Sequence, residues 1–379
     1  MPGAQLHGER LDIEAGRLRV TYLVRSEAGA IEARARAIAV EQSVELPVEA
    51  IDDARIRDEI VGEVVDINER GAGVFEVAIA LAQATMPPEP GQFLNMLFGN
   101  TSLHDDVTLH DVEVPPGYLA RFGGPAVGLD GLRALVGAEG RALTATALKP
   151  QGLPATELAR LASAAARGGI DIIKDDHGLA DQTYSPFAER VAACAKAVAA
   201  SNRASGRRAA YAPSLSGSLD QLRAQIAIAR DHGVKVALIA PMVVGLPAFH
   251  TLAREAGNMA FLAHPSLGGA SRIAPPLLLG RIFRMFGADA TIFPNYGGRF
   301  SYSQQTCRDI AAAATASWNG IAASVPTPAG GMSLDRVDEM LAFYGRDCML
   351  LIGGNLLINR DRIAEAAASF ADKVARHGH

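Results

Sequence analysis

The chain has 379 residues, of which 49% are hydrophobic and 20% charged, and its formal net charge is −5. Lysine and arginine are dispersed along it, which argues against a nucleic-acid partner and favours a small-molecule ligand. No basic N-terminal region precedes an apolar run, and no apolar segment approaches the roughly 18 residues that span a membrane, so we expect a cytoplasmic protein that does not bind membranes.

The first third of the chain predicts a small α+β domain. Alternating or apolar runs predict strands at 17–24, 61–67, 74–80 and 107–114, and one helical pattern occupies 30–39. Strands grouped around few helices are typical of an α+β unit. The pattern changes after Pro115-Pro116-Gly117, so we assign residues 1–125 to an N-terminal domain and residues 126–379 to a second domain.

The second domain alternates short apolar strands with helical stretches. The predicted helices include 157–167, 187–200, 219–231 and 334–344, and the predicted strands are 143–148, 170–173, 209–212, 234–240, 259–263, 290–293, 320–325 and 348–352. Eight such units over roughly 240 residues predict a (β/α)8 TIM barrel rather than an open doubly wound sheet. Lys149-Pro150-Gln151-Gly152, after the first strand, is not a dinucleotide-binding fingerprint.

Polar residues follow the predicted strands, at the end of a barrel where active sites lie. The densest group, Lys174-Asp175-Asp176-His177, ends the apolar run of the second strand. On its own this group is equally compatible with a solvated cap or turn, so the other loops decide the interpretation. They add Lys149, Ser214, Ser216, His264, Asn295, Arg299, Gly330, Gly331, Gly353, Gly354 and Asn355, and the whole set predicts one polar mouth.

Two glycine pairs in this set predict a phosphate site. Gly330-Gly331 follows the seventh strand and Gly353-Gly354 follows the eighth, and these are the loops with which such barrels often bind phosphate. Glycine lets backbone N–H groups approach an anion without a Cβ in the way. Either pair alone would be interpreted as ordinary turn glycines, but their joint position favours phosphate binding.

These segments resemble the large subunit of ribulose-bisphosphate carboxylase (RuBisCO), and more closely the RuBisCO-like proteins (form IV) that lack carboxylase activity. The matching segments are Leu148-Lys149-Pro150, Gly168-Gly169-Ile170-Asp171 leading into Lys174-Asp175-Asp176, Gly330-Gly331 and Gly353-Gly354. The resemblance implies an N-terminal α+β (ferredoxin-like) domain, a C-terminal barrel, and a homodimer in which one subunit's N-terminal domain covers its partner's barrel mouth. It also implies that Glu41 and Asn95 of the N-terminal domain reach the active site.

The resemblance further implies a divalent metal with one unusual ligand. In the true carboxylase, Lys174 would be carbamylated and would bind Mg²⁺ together with Asp176 and a following glutamate, but here the third position is His177. Magnesium prefers oxygen ligands, whereas imidazole suits Zn, Mn, Fe or Co. Either the metal differs, or His177 is no ligand and acts as an acid or base near neutral pH. We expect a retained divalent ion, Mg²⁺ first with Mn²⁺ or Zn²⁺ as alternatives.

The departures from the carboxylase predict a single phosphate site. Its second phosphate site uses an arginine, a histidine and a serine, which match Leu267, Ile292 and Ala329. A dianion against apolar side chains would cost several kcal/mol of uncompensated desolvation, so we expect a monophosphate with an apolar or uncharged far end. Arg299 falls where the family's mobile lid carries a lysine, and its planar guanidinium clamps different groups.

Proton abstraction next to a carbonyl is the shared chemistry of this superfamily, and Lys149 and His177 are the candidate proton carriers. His264 matches an active-site histidine that would hold substrate hydroxyls, and a buried histidine bonded to backbone is the competing interpretation.

Two reactions stay open, and efficient CO₂ fixation is not expected. The first is isomerisation or enolisation of a ketose monophosphate such as 5-methylthioribulose 1-phosphate, as in methionine salvage, whose thioether would suit Leu267 and Ile292. The second is decarboxylation or carbon–carbon cleavage of a phosphorylated branched keto-sugar acid, as in apiose catabolism. A non-catalytic ligand sensor fits the dense polar mouth less well.

Overall fold

The computed structural model describes residues 16–300, 302–358 and 362–377, which divide into two compact units. The first unit ends at Phe122 and also takes Gly269–Leu277, while the second begins at Gly123 and contains the remainder. The return of Gly269–Leu277 to the first unit had no sequence signal, because the segment lies between elements of the barrel.

A four-stranded antiparallel sheet organises the first unit. The sheet has the spatial order β2-β3-β1-β4, and its strands are β1 (Arg17–Arg25), β2 (Glu63–Gly71), β3 (Val74–Ala82) and β4 (Val107–Glu113). β1 is fully buried at every second residue, as expected of a strand with one face on the core. The helices of this unit are α1 (Ile31–Glu41), α2 (Pro90–Phe98) and α3 (Pro116–Leu119). The predicted α+β domain is confirmed.

The second unit is the predicted parallel barrel. Its strand segments are β5 (Leu143–Leu148), β6 (Ile172–Asp175), β7 (Ala210–Ala212), β8 (Ser214–Leu215), β9 (Val236–Ile239), β10 (Ala260–Ala263), β11 (Ala290–Pro294), β12 (Val325–Ala329) and β13 (Met349–Ile352). Their spatial order is β7-β6-β5-β13-β12-β11-β10-β9-β8. Because only Pro213 separates β7 from β8, the two ends of this order are halves of one strand and the sheet closes on itself.

Helices connect the barrel strands. They are α4 (Gly128–Val136), α5 (Ala155–Arg167), α6 (Phe187–Ser205), α7 (Leu219–Asp231), α8 (Pro241–Val244), α9 (Leu246–Glu255), α10 (Phe283–Met285), α11 (Gln304–Thr315), α12 (Val337–Tyr344), α13 (Gly354–Leu357) and α14 (Ile363–Arg376). Within the described ranges, no helix combines the length and the apolar character that crossing a membrane requires.

Apolar side chains fill the barrel interior. The core cluster includes Ile172, Leu238, Leu262, Ile292 and Leu351, each from a different strand. A barrel interior filled in this way is a packed core and not a pore, so a ligand must bind where the strands end.

The predicted seventh strand, 320–325, is wrong. The strand is β12 (Val325–Ala329), and an irregular segment precedes it. Pro326 and Pro328 concealed it, because a residue without an N–H argues against a central strand. β12 nevertheless pairs with β11 and β13, and it ends directly before Gly330.

Candidate active site

Asp175 anchors the carboxyl end of β6. This strand runs two residues beyond its predicted end, so Lys174 and Asp175 lie within it. The Asp175 carboxylate is fully buried and accepts hydrogen bonds from Arg190 Nε (2.9 Å), the Tyr211 hydroxyl (2.8 Å) and the Ser214 N–H (3.1 Å). Three buried donors make this carboxylate a structural group, in contrast to its neighbour Asp176.

Asp176 joins the loops after β5 and β6. Its Oδ2 contacts Lys149 Nζ, while its Oδ1 accepts the Gly178 N–H at 3.1 Å and lies 3.3 Å from His177 Nδ1. The Asp176 side chain is only 4% exposed, whereas those of Lys149 and His177 are 40% and 45% exposed. The structure therefore brings the predicted proton carriers onto one carboxylate and leaves them open to a ligand.

Lys174 is a buried amine beside this group. It is 3% exposed, and its Nζ donates to the backbone carbonyl of Asp175 at 3.0 Å. Burial, together with the positive charge of Lys149, lowers the pKa of Lys174 to about 7. The uncharged, nucleophilic form of this amine is therefore accessible at neutral pH.

Two imidazoles stack at the mouth. The ring centroids of His177 and His264 lie 4.0 Å apart with an angle of 9° between the planes. Burial, and then the positive charge of Lys174, lowers the pKa of both rings, that of His264 to about 2, so both are largely neutral at pH 7. The Ser266 N–H donates to His264 Nδ1 at 3.3 Å and the Ser266 hydroxyl lies 2.8 Å from the same nitrogen, so Nδ1 is occupied within the protein and Nε2 is left for a ligand.

The two glycine pairs leave adjacent strands. Ala329 of β12 pairs with Leu351 of β13, and Asn355 Nδ2 donates to the carbonyl of Met332 at 2.8 Å, which ties the two loops together. A Cβ added at Gly353 or Gly354 would meet no heavy atom within 4 Å. Protein packing leaves open space at this backbone, as an anion site requires.

The three positions that replace the second phosphate site differ in exposure. Leu267 is 60% exposed and has a φ of 62°, a conformation that leucine rarely adopts and that is often found at functional sites. Ile292 is 2% exposed within the barrel core, and Ala329 packs partly buried against the same core. The expected contact between Ile292 and a substrate is thereby corrected, because Leu267 alone of the three is exposed.

Asn295 and Arg299 share the loop after β11 but differ in position. Asn295 is buried, with Oδ1 accepting from the Tyr344 hydroxyl at 2.7 Å, so it supports the loop and does not face the mouth as predicted. Arg299 is exposed on the same loop, and its positive charge adds to the effect of burial in lowering the pKa of Lys149.

Glu41 and Asn95 lie in the first unit. Glu41 Oε1 accepts from Asn100 Nδ2 at 2.9 Å, and the Asn95 carbonyl accepts the Gly99 N–H at 2.7 Å. Their predicted part in the active site stays a prediction.

Comparison with known proteins assigns the chain to a family. The family described as ribulose bisphosphate carboxylase large chain, catalytic domain, matches residues 128–376. This chain belongs to that family. The 5-methylthioribulose-1-phosphate isomerase of Rhodospirillum rubrum is 58% identical over 360 residues, which are 95% of this chain and 96% of the relative.

Two further proteins extend the comparison. The 2,3-diketo-5-methylthiopentyl-1-phosphate enolase of Geobacillus thermodenitrificans is 30% identical over 362 residues, covering 89% of this chain and 86% of the enolase. The crystal structure of the Rubisco-like protein from Rhodopseudomonas palustris is 54% identical, with a TM-score of 0.90, and covers 96% of this chain and 99% of that one. The predicted RuBisCO-like fold and enzymatic nature are confirmed.

Sequence reasoning on this RuBisCO-like protein missed the long-range partners of the site. Nothing in the sequence pairs Asp175 with Arg190 and Tyr211. The one sequence signal was the position of Arg190 on the apolar face of helix α6, between Phe187 and Cys194, where a charged side chain needs a buried partner.

Proposed function

We propose that this RuBisCO-like enzyme isomerises 5-methylthioribulose 1-phosphate or a closely related ketose monophosphate in the cytoplasm, within methionine salvage. The 58% identity to an isomerase named for this substrate, over nearly the whole length of both chains, carries the proposal. The 30% identity to an enolase named for a different methylthio compound makes enolisation the weaker alternative. The open glycine loops and exposed Leu267 fit a ligand with one phosphate and one apolar end.

The residues at the end of β6 fit a divalent metal under one condition. RuBisCO-like enolases typically use a metal, yet the described residues hold no ready-made group of three His, Cys, Asp or Glu ligands. Asp176 and His177 supply two donors, and Lys174 supplies an anionic third only as a carbamate, which its partly neutral amine can form with CO₂. A bound divalent ion would polarise the substrate carbonyl and stabilise the enolate.

Proton movement is assigned to Lys149, and to His177 in the alternative in which its imidazole is not a metal ligand. The pKa of Lys149 is lowered by burial, so its neutral form is more accessible than that of an ordinary lysine, and its Nζ lies on Asp176. His177 Nδ1 faces Asp176, which leaves Nε2 of the neutral ring as an acceptor. His264, whose Nε2 is left for a ligand, holds a substrate hydroxyl, and Arg299 binds the substrate from the loop after β11.

The decisive experiment is incubation of the enzyme with 5-methylthioribulose 1-phosphate in D₂O. The proposal expects an isomerised phosphate with deuterium incorporated beside the carbonyl and no loss of carbon. Release of CO₂ or of a two-carbon or three-carbon fragment from a branched keto-sugar acid phosphate, without isomerase activity, would favour the cleavage reaction. Ligand binding without turnover of any ketose or keto acid phosphate would favour a sensor.

A Gly353→Asp substitution is expected to weaken substrate binding at least roughly tenfold. It places a negative charge in the open space where the proposed phosphate lies, and the protein itself offers no steric obstacle to the new Cβ. Titration calorimetry with a ketose monophosphate measures the loss, and Gly117→Asp, at another glycine with open space around it and no positive φ, is the control. Tighter binding of ribulose 1,5-bisphosphate than of a monophosphate would contradict the single-phosphate proposal.

A His177→Glu substitution is expected to shift the metal preference toward Mg²⁺. With Asp176 and a Lys174 carbamate it would complete an all-oxygen ligand set. The measurement is activity of chelator-treated protein after addition of Mg²⁺, Mn²⁺, Zn²⁺ or Co²⁺ to wild type and variant. An unchanged order of activation would mean that His177 is not a ligand and leave it the role of acid or base.

We also infer a homodimer whose active site is completed by Glu41 and Asn95 of the partner subunit. The exposed large hydrophobic side chains described in the second unit all lie after carboxyl ends of barrel strands, and they are Tyr184, Val243, Leu267, Phe300, Leu334 and Ile358. An apolar rim of this kind is typical of a surface that another protein covers. Sedimentation equilibrium should give about twice the chain mass of 39.7 kDa, and Phe300→Asp should lower it. A monomeric wild type would contradict the inference.

A further inference from the structure

Arg336 lies between the loop after β11 and the loop after β12. Its Nη2 donates to the carbonyl of Tyr296 at 3.3 Å, and its guanidinium lies 5.4 Å from the centre of the Tyr296 ring. On its other side Nε and Nη2 bond to the two carboxylate oxygens of Glu339, at 3.0 and 3.1 Å. The planar fork is thus fixed on α12 by Glu339 and reaches the loop that carries Arg299.

The same two loops touch through glycine backbone. A Cβ added at Gly298 would lie 2.8 Å from the Gly330 carbonyl oxygen, and one at Gly331 would lie 3.0 Å from the Gly298 Cα. Neither position has space for a side chain, and the obstructing atoms are backbone. The loop of Arg299 therefore rests directly on the first glycine pair.

One nitrogen of Arg336 has no partner within the described residues. Nη1 is buried from solvent and makes no hydrogen bond there, which is unusual for a charged donor. A Cβ at Gly331 would lie 3.7 Å from Nη1, and one at Gly297 would lie 3.4 Å from Nη2. A positive charge with a spare donor thus lies directly against Gly297 in the loop after β11 and Gly331 in the loop after β12.

We propose that Arg336 is a positioning residue that clamps the loop of Arg299 onto the Gly330-Gly331 loop. One guanidinium thereby fixes the positions of Arg299 and of the Gly330-Gly331 backbone, the two groups that would meet the phosphate end of the substrate. The inference rests on the proposed phosphate site. Its consequence is that phosphate binding and the placement of Arg299 are coupled and do not vary independently.

Arg336→Lys tests the clamp, because lysine keeps the charge but loses the planar group that bonds both carboxylate oxygens of Glu339 and lies over the Tyr296 ring. We expect the dissociation constant for inorganic phosphate, measured by calorimetry, to rise roughly fivefold to tenfold, and KM for the ketose phosphate to rise more than kcat falls. Arg308→Lys is the matched control, since Arg308 stacks over the Phe343 ring at 4.8 Å in the same region. It should leave both constants within about twofold of wild type.

Gly298→Ala approaches the same contact from the other loop and keeps the test decisive if Arg336→Lys fails to fold. It should raise the phosphate dissociation constant by a similar factor. Because both changes break the same contact, the dissociation constant of the double variant should rise by less than the product of the two single effects. Normal phosphate binding by Arg336→Lys or by Gly298→Ala, alongside loss of binding in Gly353→Asp, would overturn the clamp and leave the proposed function intact. Phosphate binding that is absent in wild type would overturn the phosphate site and the clamp together.

Discussion

Asp176→Asn is expected to lower kcat/KM by roughly a thousandfold or more while leaving the fold intact. The amide keeps the shape and can still accept the Gly178 N–H, but it loses the charge that faces Lys149 and His177 and that a divalent ion would need. Such electrostatic contributions are worth several kcal/mol, and each 1.36 kcal/mol is about tenfold in rate. Steady-state kinetics with the ketose phosphate and the melting temperature are the two measurements.

Asp181→Asn is the matched control for this substitution. Asp181 lies on the same loop, but its Oδ1 accepts the Phe187 N–H at 2.7 Å and takes no part in the proposed site. It should retain near-normal activity. Full activity of Asp176→Asn after chelator treatment would show that neither the carboxylate nor a metal carries the reaction.

Lys174→Ala should also abolish activity with the ketose phosphate. The proposed carbamate on Lys174 further predicts that the activity of the wild type depends on CO₂ and pH. Only the neutral amine forms a carbamate, and with a pKa of about 7 its neutral fraction rises as the pH rises. Activation by CO₂ should therefore be stronger at pH 8 than at pH 6. A carbamate signal in ¹³C NMR with ¹³CO₂, present in wild type and absent in Lys174→Ala, is the direct measurement. Full activity of Lys174→Ala would contradict the role of this residue.

Arg190→Met is expected to lower the free energy of unfolding by about 3–5 kcal/mol, the cost of leaving a buried charge without its partner. Arg190 and Asp175 are both fully buried at 2.9 Å, and the guanidinium also donates to the carbonyls of Ser185 and Ala180 at 2.6 Å. Methionine fills much of the volume but satisfies none of these groups. Chemical denaturation followed by circular dichroism gives the change in stability.

An exposed ion pair provides the comparison. Arg223 pairs with Glu255 at 2.7 Å between half-exposed side chains that water screens, so Arg223→Met should destabilise the protein much less than Arg190→Met. If Arg190→Met lowered the free energy of unfolding by no more than Arg223→Met does, the structural role given to Asp175 would be contradicted. Because the Asp175 backbone carbonyl holds Lys174 Nζ, activity of Arg190→Met should also fall at temperatures well below its melting point.

The barrel and its polar mouth were predictable from the sequence by itself. Alternation of apolar runs with helical patterns is a local property, and it placed seven of the eight barrel strands within a few residues of their observed bounds. The rule that parallel strands expose their carboxyl ends on one face then brought Lys149, Asp176, His177 and His264 together without any knowledge of their contacts. β12 was not predicted because its prolines have a low propensity for central strands. Pairing with strands on both sides overrides that propensity in the folded barrel.

Only the tertiary structure distinguished neighbouring residues of the same chemistry. Asp175 and Asp176 are adjacent carboxylates, yet Asp175, at the end of β6, is fixed by Arg190 and Tyr211, while Asp176, in the loop that follows, contacts Lys149 and His177. Leu267 and Ile292 are both apolar replacements, but Ile292 lies in β11 and packs in the barrel core, whereas Leu267 lies in the loop after β10 and is exposed. Which partner a side chain contacts, and whether it is buried, depends on residues far along the chain. A local sequence pattern carries no information about those residues.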